Sequence, residues 1–322
     1  MILVLTNERD LTSDYVVLEL QRRGLPFVRL NSERLPEGTV AFDPALGADG
    51  WLIELADVLV DFRSVRAAYF RRPGSPETPA GVIREDAARY CRAEWGAALS
   101  SALNALGARW LNAPLTIMAA EDKPRQLALA VSLGFRVPPT IISNSLASVA
   151  DRLADGPIVA KTLREALLEG EDRERVIFTS RIPDLSELSE QAVSAAPAIF
   201  QHQVEKRSDL RVTVVGDRAY AAEILSQDMA ETQVDWRRGS HPELVHRMHD
   251  LPEPLAKRCV TLVKSLGLRF GAVDLVLDRS GDYWFLEVNP NGQWAWIENR
   301  TGLPLTEAIV DELERIAGCS GG

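Results

Sequence analysis

The segment Gly271–Pro290 constrains this chain more than any other, because two β-rich runs in it flank the turn-like Arg279-Ser280-Gly281-Asp282. That pattern predicts a β-hairpin. With those residues as the loop, Asp278 faces Tyr283 and, stepping inward, Asp274 stands directly opposite Glu287. Strand alternation then gathers Val273, Leu275, Leu277, Trp284, Leu286 and Val288 on one apolar face. The other face carries Asp274, Glu287 and Asn289, with Val276 and Phe285 beside them. Like charges directly opposite each other destabilise a sheet. A hard cation removes the conflict, and Mg²⁺ is commonly held by one or two carboxylates together with substrate phosphates. A loop of another length would leave both acids merely solvated, but it would throw the apolar face out of register. A metal-binding hairpin keeps both faces consistent.

The rest is ordinary globular sequence. At roughly 150 residues per domain, 322 residues predict two or three domains. With 46% hydrophobic and 25% charged residues the chain is neither disordered nor fibrous. A net charge of −10 disfavours non-specific binding to nucleic acid or anionic membranes, while leaving room for a local basic site. Cys91, Cys259 and Cys319 are far apart and form no CxxC, which argues against a disulfide framework or a cysteine zinc site. A reducing cytoplasm fits that usage. The opening apolar run reaches Glu8-Arg9-Asp10 too soon for a signal sequence, and no run approaches the ~20 residues of a membrane span.

Along the chain, Ile2 to Thr6 reads as a strand buried on both faces. A helix capped from Thr12-Ser13-Asp14 and ended at Gly24, then a strand over Pro26 to Leu30, make a β-α-β opening, as in an open parallel sheet. Short strands follow at Trp51–Glu54, Val58–Phe62 and Val65–Phe70, and a Pro/Gly/Ser cluster from Pro73 to Pro79 closes the unit. A long helix over about Arg84 to Leu106 and a strand at Trp110 lead to a boundary at Asn112-Ala-Pro114. Beyond it the pattern predicts a helix from Lys123 to Leu133, strands at Val137–Ile142, Pro157–Lys161 and Arg175–Ser180, and a helix from Ser145 to Leu153. The charged stretch Thr162–Glu174 reads as a loop. Strands at Ile199–Val204, Leu210–Val215 and Ala219–Leu225, a helix from Pro254 to Leu266, the hairpin and a helix from Pro304 to Ile316 complete the chain.

Lys161 ends the apolar run Ile158-Val-Ala, and an ammonium placed there needs a partner worth its desolvation, such as a phosphate. Lys123 follows Glu121-Asp122 at a helix start, and Asp209-Leu-Arg211 puts an acid and a guanidinium on one strand face, by default as an ion pair. His241, His246 and His249 lie in a Pro-bearing stretch without ligand spacing and are discounted as a metal site. Trp294 and Trp296 could wall a substrate cleft or fill a domain interface.

In this order and spacing Lys123, Lys161, Gln201-His-Gln-Val-Glu205, Asp209-x-Arg211, Asp274 and Glu287-Val-Asn289-Pro290 resemble the ATP-grasp ligases over about residues 113 to 317. The resemblance implies an α/β chain of α+β lobes in the ATP-grasp fold. Residues 1–113 would form an N-terminal open parallel-sheet domain, 114–198 a central subdomain, and 199–322 a C-terminal subdomain with the metal-binding hairpin. It also implies that Lys123, Lys161, Gln201, Val204 and Glu205 serve ATP, with the strand end near Val204-Glu205 as the adenine hinge. Asp274, Glu287 and Asn289 would hold Mg²⁺, while Lys161, Asp209 and Arg211 surround the reacting groups. Two departures stand out: His202 replaces a hinge acid, and the loop after Lys161 is charged rather than glycine-rich.

A narrower likeness lies in Tyr69-Phe-Arg-Arg-Pro73, Leu111-Asn-Ala-Pro114, Gly134-Phe-Arg-Val-Pro138 with Thr140, Glu205 to Gly216, and Val234-Asp-Trp-Arg237. These are similar to the graspetide (microviridin-type) maturases, which cyclise ribosomally made precursor peptides through side-chain esters or amides. That likeness implies an acyl-phosphate route, a precursor peptide as partner and a homodimeric cytoplasmic enzyme. Arg71, Arg72 and Arg237 become candidates for an acidic peptide, since guanidinium binds carboxylate bidentately; Arg238 is as easily a surface residue. The alternative is a ligase joining a free amino acid or small amine to a carboxylate. A nucleotide-binding module without chemistry is disfavoured by the presence of both carboxylates, the asparagine and both lysines.

Overall fold

The computed structural model describes residues 1–79, 81–164, 167–168, 175–176, 179–238 and 244–319. His241, most of the charged stretch 162–174, and the side chains of Arg238 and Cys319 lie outside the described set. The β-α-β opening folds as its pattern requires. Ile2–Thr6, Phe27–Asn31, Ala67–Phe70 and Trp110–Leu111 form a four-stranded, wholly parallel sheet. The intervening helix Leu11–Arg22 starts earlier than its Thr-Ser-Asp signal implies, because Asp10 is the N-cap and accepts from the Thr12 amide. Gly24 ends it at φ +66°, a conformation glycine takes without penalty. A small antiparallel sheet of Thr39–Phe42, Trp51–Glu54 and Leu59–Asp61 stands beside this unit.

Both faces of the parallel sheet are covered, as such sheets demand. On one face Leu3, Leu5 and Leu30 meet Ala102, Leu103 and Leu106 from the long helix Glu85–Ala105 and its C-cap. On the other, Ile2, Val4, Ala67 and Tyr69 meet Leu305, Ile309 and Leu313 of the final helix Leu305–Cys319. Trp294 is fully buried in that second core, its indole Nε1–H donating to the Tyr69 hydroxyl at 3.0 Å. Of its two readings, interface core is the one observed.

Three antiparallel sheets follow, the smallest pairing Leu167–Leu168, inside the stretch read as a loop, with Arg175–Val176. Thr140–Ser143, Ala198–His202, Ile158–Lys161 and Ser180–Ile182 make a four-stranded sheet in which Ala198–His202 lies between Thr140–Ser143 and Ile158–Lys161. The five-stranded sheet runs His246–His249, Arg218–Ile224, Lys206–Val215, Phe270–Asp278, Tyr283–Asn289. Its apolar face buries Leu210, Val212, Val214, Val273 and Leu275 under Leu255, Cys259, Leu262 and Val263 of helix Glu253–Ser265. The strands Thr39–Phe42 and His246–His249 and the helices Pro114–Ala120 and Ala295–Thr301 had no sequence signal strong enough to be expected.

The hairpin forms, with one correction. Its turn is a residue longer than expected, Asp278 N–H donating to the Asp282 carbonyl, so that Leu277 pairs with Tyr283 and Leu275 with Phe285. A bulge then absorbs Leu286 and restores Asp274 opposite Glu287. Phe285 therefore turns into the core, fully buried, while Leu286 turns to the cleft and Trp284 outward, its Nε1–H donating to Asp278. The bulge reverses the face of every residue between the turn and itself.

Just beyond the hairpin, a β-carbon on Gly292 would lie 2.7 Å from that of Ala272, the residue paired with Asn289. Gly292→Ala is expected to cost about 1–3 kcal/mol through overpacking. Denaturant unfolding checks it, and an unchanged midpoint would contradict this packing.

Candidate active site

The four-stranded and five-stranded antiparallel sheets face each other across a cavity of about 210 Å³. The first contributes Val159, Lys161 and Gln201, and the second Asp209, Asp274, Val276 and Glu287. Register explains the gathering. Gln201 pairs with Val159, Arg211 with Asp274, and Asp274 with Glu287, so strand alternation delivers all of these side chains to the facing surfaces.

The Asp209–Arg211 ion pair expected by default does not form. Each residue finds a cross-strand or local partner instead. Arg211 Nη1 donates to both Asp274 oxygens at 2.7 Å and its guanidinium lies over Trp236. Asp209 accepts from Lys206 Nζ at 2.7 Å and from the Ser226 hydroxyl. Glu287 is met by Lys123 at 3.4 Å and by Arg237 at 3.3 Å, and Arg237 also donates to Asp235 at 2.9 Å. Lys123 donates to the Thr162 carbonyl, and Lys161 to the Gln201 side-chain oxygen at 2.9 Å.

The two opposed carboxylates therefore do not repel each other unrelieved, as their pairing alone suggested: each has its own guanidinium. Burial alone would raise the Glu287 carboxyl, but Arg237, Lys123, Lys161 and Arg211 outweigh it and hold it at about 2. Burial pushes Asp274 up; Arg211 pulls it down, and the facing Glu287 adds to the rise. Burial among other cations lowers the Lys161 ammonium to about 8. The site is a knot of alternating charge with its excess positive, suited to a ligand that brings negative charge.

Of the residues singled out from sequence, Lys123, Lys161, Gln201, Val204, Asp209, Arg237, Asp274 and Glu287 line the cleft, and Arg211 stands directly behind Asp274. Glu205 borders an adjoining hollow with Val204 and Lys206. Asn289 is exposed at the strand end, its Oδ1 accepting from the Asn291 amide. Arg71 and Arg72 lie outside the cleft lining. Arg71 is only 1% exposed and donates to the Asn291 and Gly292 carbonyls, so a peptide side chain has no access to it here. Arg72 is exposed, with its side chain on Gln293 in the amide orientation that satisfies both, and its φ is +47°. Lys206 and Asp235 were not singled out, although both lie within stretches already marked; Lys206 opens the polar end of its strand and Asp235 lies outside any strand, so neither carried a signal of its own. Among the described residues no group of three or more His, Cys, Asp or Glu could hold a metal ion. No described helix is long and apolar enough to cross a membrane.

Glu287→Gln is expected to lose about 1–2 kcal/mol near neutral pH, because it leaves Lys123 without its anion and Arg237 with Asp235 alone. The folded carboxyl sits at about 2 against an ordinary 4.5, so the stabilisation is full above 4.5 and fades as pH falls toward 2. Thermal melts of both proteins across that range check it; a constant difference would contradict the assignment.

No protein-family model matches the sequence. Among curated proteins the chain is 28% identical over 233 residues to a probable alpha-L-glutamate ligase of Enterobacter sp. (strain 638), covering 69% of this chain and 73% of that one. Among solved structures it resembles the Microcystis aeruginosa MRC macrocyclase MdnC, bound with precursor peptide MdnA, at TM-score 0.82 and 26% identity, covering 98% and 99% of the two chains. The macrocyclase MdnB from the same organism gives 0.74 and 26%, covering 97% and 98%. A Chryseobacterium gregarium RiPP-associated ATP-grasp ligase, in complex with ADP and a leader and core peptide, gives 0.83 at 24%, covering 98% and 96%. Over nearly its whole length this chain follows the ATP-grasp fold of these peptide-modifying ligases, which it resembles.

Proposed function

We propose that this ligase uses ATP to activate Asp or Glu side chains of a ribosomally made precursor peptide and closes them onto hydroxyls or amines of the same peptide. The observation that carries this reading is the ionised Glu287 among Lys123, Lys161 and Arg237, opposite the Arg211-bound Asp274, between two facing sheets. Such a site supplies what phosphoryl transfer needs, namely placement and charge stabilisation around the transferring group. Lys123 and Lys161 serve the nucleotide phosphates, and Gln201, Val204 and Glu205 its adenosine end. Asp274, Glu287 and Asn289 offer only oxygen donors from one hairpin, a set that fits Mg²⁺. Mg²⁺ held there would supply further positive charge to the phosphates.

In the first step a peptide carboxylate oxygen bonds to the γ-phosphorus as the bond to the ADP oxygen breaks. The hydroxyl or amine then bonds to the acyl carbon, gives up its proton, and phosphate leaves. The sum is ADP and phosphate formed, with the atoms of one water removed from the peptide for each ester or amide. Arg211 and Lys161 stabilise charge near the transferring phosphoryl, and Asp209 holds Lys206 beside them. Arg237 and Arg72 steer the acidic peptide. The support for Arg72 is its backbone: a non-glycine residue held at φ +47° is strained, and such residues cluster at functional sites.

Mass spectrometry of a candidate precursor peptide rich in Thr/Ser and Glu/Asp, incubated with the enzyme, ATP and Mg²⁺, tests the reading. Loss of one water per ring supports it. A mass gain with added glutamate would favour the second reading, to which the likeness to probable glutamate ligases points. Within the same assay, Arg72→Lys is expected to spare ATP affinity but cut dehydrated product on the order of 100-fold, since the charge stays and the planar fork is lost. Normal product would return Arg72 to an ordinary surface arginine.

A further inference from the structure

The hairpin has a choice of register at the point where it matters most. Extending the Leu277–Tyr283 pairing without a bulge would place Leu286 opposite Asp274 and swing Glu287 over to Val273, on the core face. The bulge at Leu286 prevents this, but it lies in the edge strand of the sheet, which has hydrogen-bonding groups free on one side. Those groups are met by one short stretch of chain. Ahead of the bulge the Phe285 amide donates to the Arg136 carbonyl at 2.8 Å. After it, the Gln126 side chain takes both backbone groups of Val288: Oε1 accepts from its amide at 2.8 Å and Nε2 donates to its carbonyl at 2.8 Å. Gln126 is 1% exposed, and its Nε2 also donates to the Ala120 carbonyl at 2.6 Å.

Gln126 lies three residues after Lys123 in helix Lys123–Ser132, so the two share a helix face. One side chain reaches the Glu287 carboxylate, and the other grips the backbone of the next residue. We infer that Gln126 is a positioning residue, whose amide stands in for a neighbouring strand, locks the bulge, and thereby keeps Glu287 facing the cleft against Lys123. Downstream the same segment is held twice more. Asn112 donates to the Pro290 carbonyl at 3.0 Å, and Arg71 to those of Asn291 at 2.8 Å and Gly292 at 3.3 Å. Arg71 thus braces the chain that follows Glu287.

This inference rests on the reading that Glu287 belongs to a Mg²⁺ site. Its test measures metal binding directly: Mn²⁺ is titrated into protein carrying a non-hydrolysable ATP analogue, and the free-ion signal is followed by electron paramagnetic resonance. Gln126→Met keeps the length and removes every hydrogen bond, while Gln126→Glu keeps only the acceptor. Both are expected to weaken Mn²⁺ binding by at least about 10-fold, as loss of an outer-shell partner does, with analogue binding in the absence of metal unchanged. Folded variants with wild-type Mn²⁺ affinity would overturn the inference. Failure of both variants to fold would also overturn it, by assigning Gln126 to general stability. Glu287→Gln, run alongside, separates the two readings: wild-type Mn²⁺ binding there would sink the metal assignment itself.

Discussion

The structure turns on two carboxylates, Asp274 and Glu287, set directly opposite each other in a buried hairpin and each held by its own cation. Neither acid would survive there alone, since an isolated buried charge is strongly unfavourable. Arg211 comes from the neighbouring strand, Arg237 from the segment after Arg218–Ile224, and Lys123 from a helix far back in the chain. Three separate parts of the sequence must be in place before this pair is tolerated. That requirement ties the hairpin to both of the facing antiparallel sheets and produces a cleft whose positive excess awaits an anionic ligand.

The parallel sheet contributes by bracing rather than by lining. Arg71 leaves its end, Asn112 leaves the end of its last strand, and both hold the backbone just past Glu287. The final helix returns to cover the first sheet, so the beginning and end of the chain share one core. In a ligase of this type the reacting groups must be aligned closely, and a segment held from three sides suits that demand.

Much of this was legible in the residues. Alternation alone placed Asp274 against Glu287, and the apolar run put Lys161 at a strand end, because those patterns are local; Gln201 was marked only by the resemblance, and its contact with Lys161 comes from strand pairing. The route to the pairing was not legible: a turn one residue longer and a bulge at Leu286 cancel, so the carboxylates meet as expected while Trp284, Phe285 and Leu286 change faces. The bulge is fixed by Gln126 and Arg136, about 150 residues away, a separation no local pattern reports. The partner of Arg211 was likewise invisible, since it depends on which strand lies beside Lys206–Val215. Arg71 stood in sequence as a candidate for an acidic peptide, and only the packing of the first sheet against the segment after the hairpin buries it.

The central claim is that this cleft brings a peptide carboxylate to the γ-phosphoryl group of ATP. The most direct measurement follows oxygen. A precursor peptide whose acidic side chains carry heavy oxygen is turned over with ATP, and the phosphate released is examined by mass spectrometry. The account predicts one labelled oxygen in each phosphate, carried across when the acyl phosphate breaks. Unlabelled phosphate alongside cross-linked peptide would contradict it.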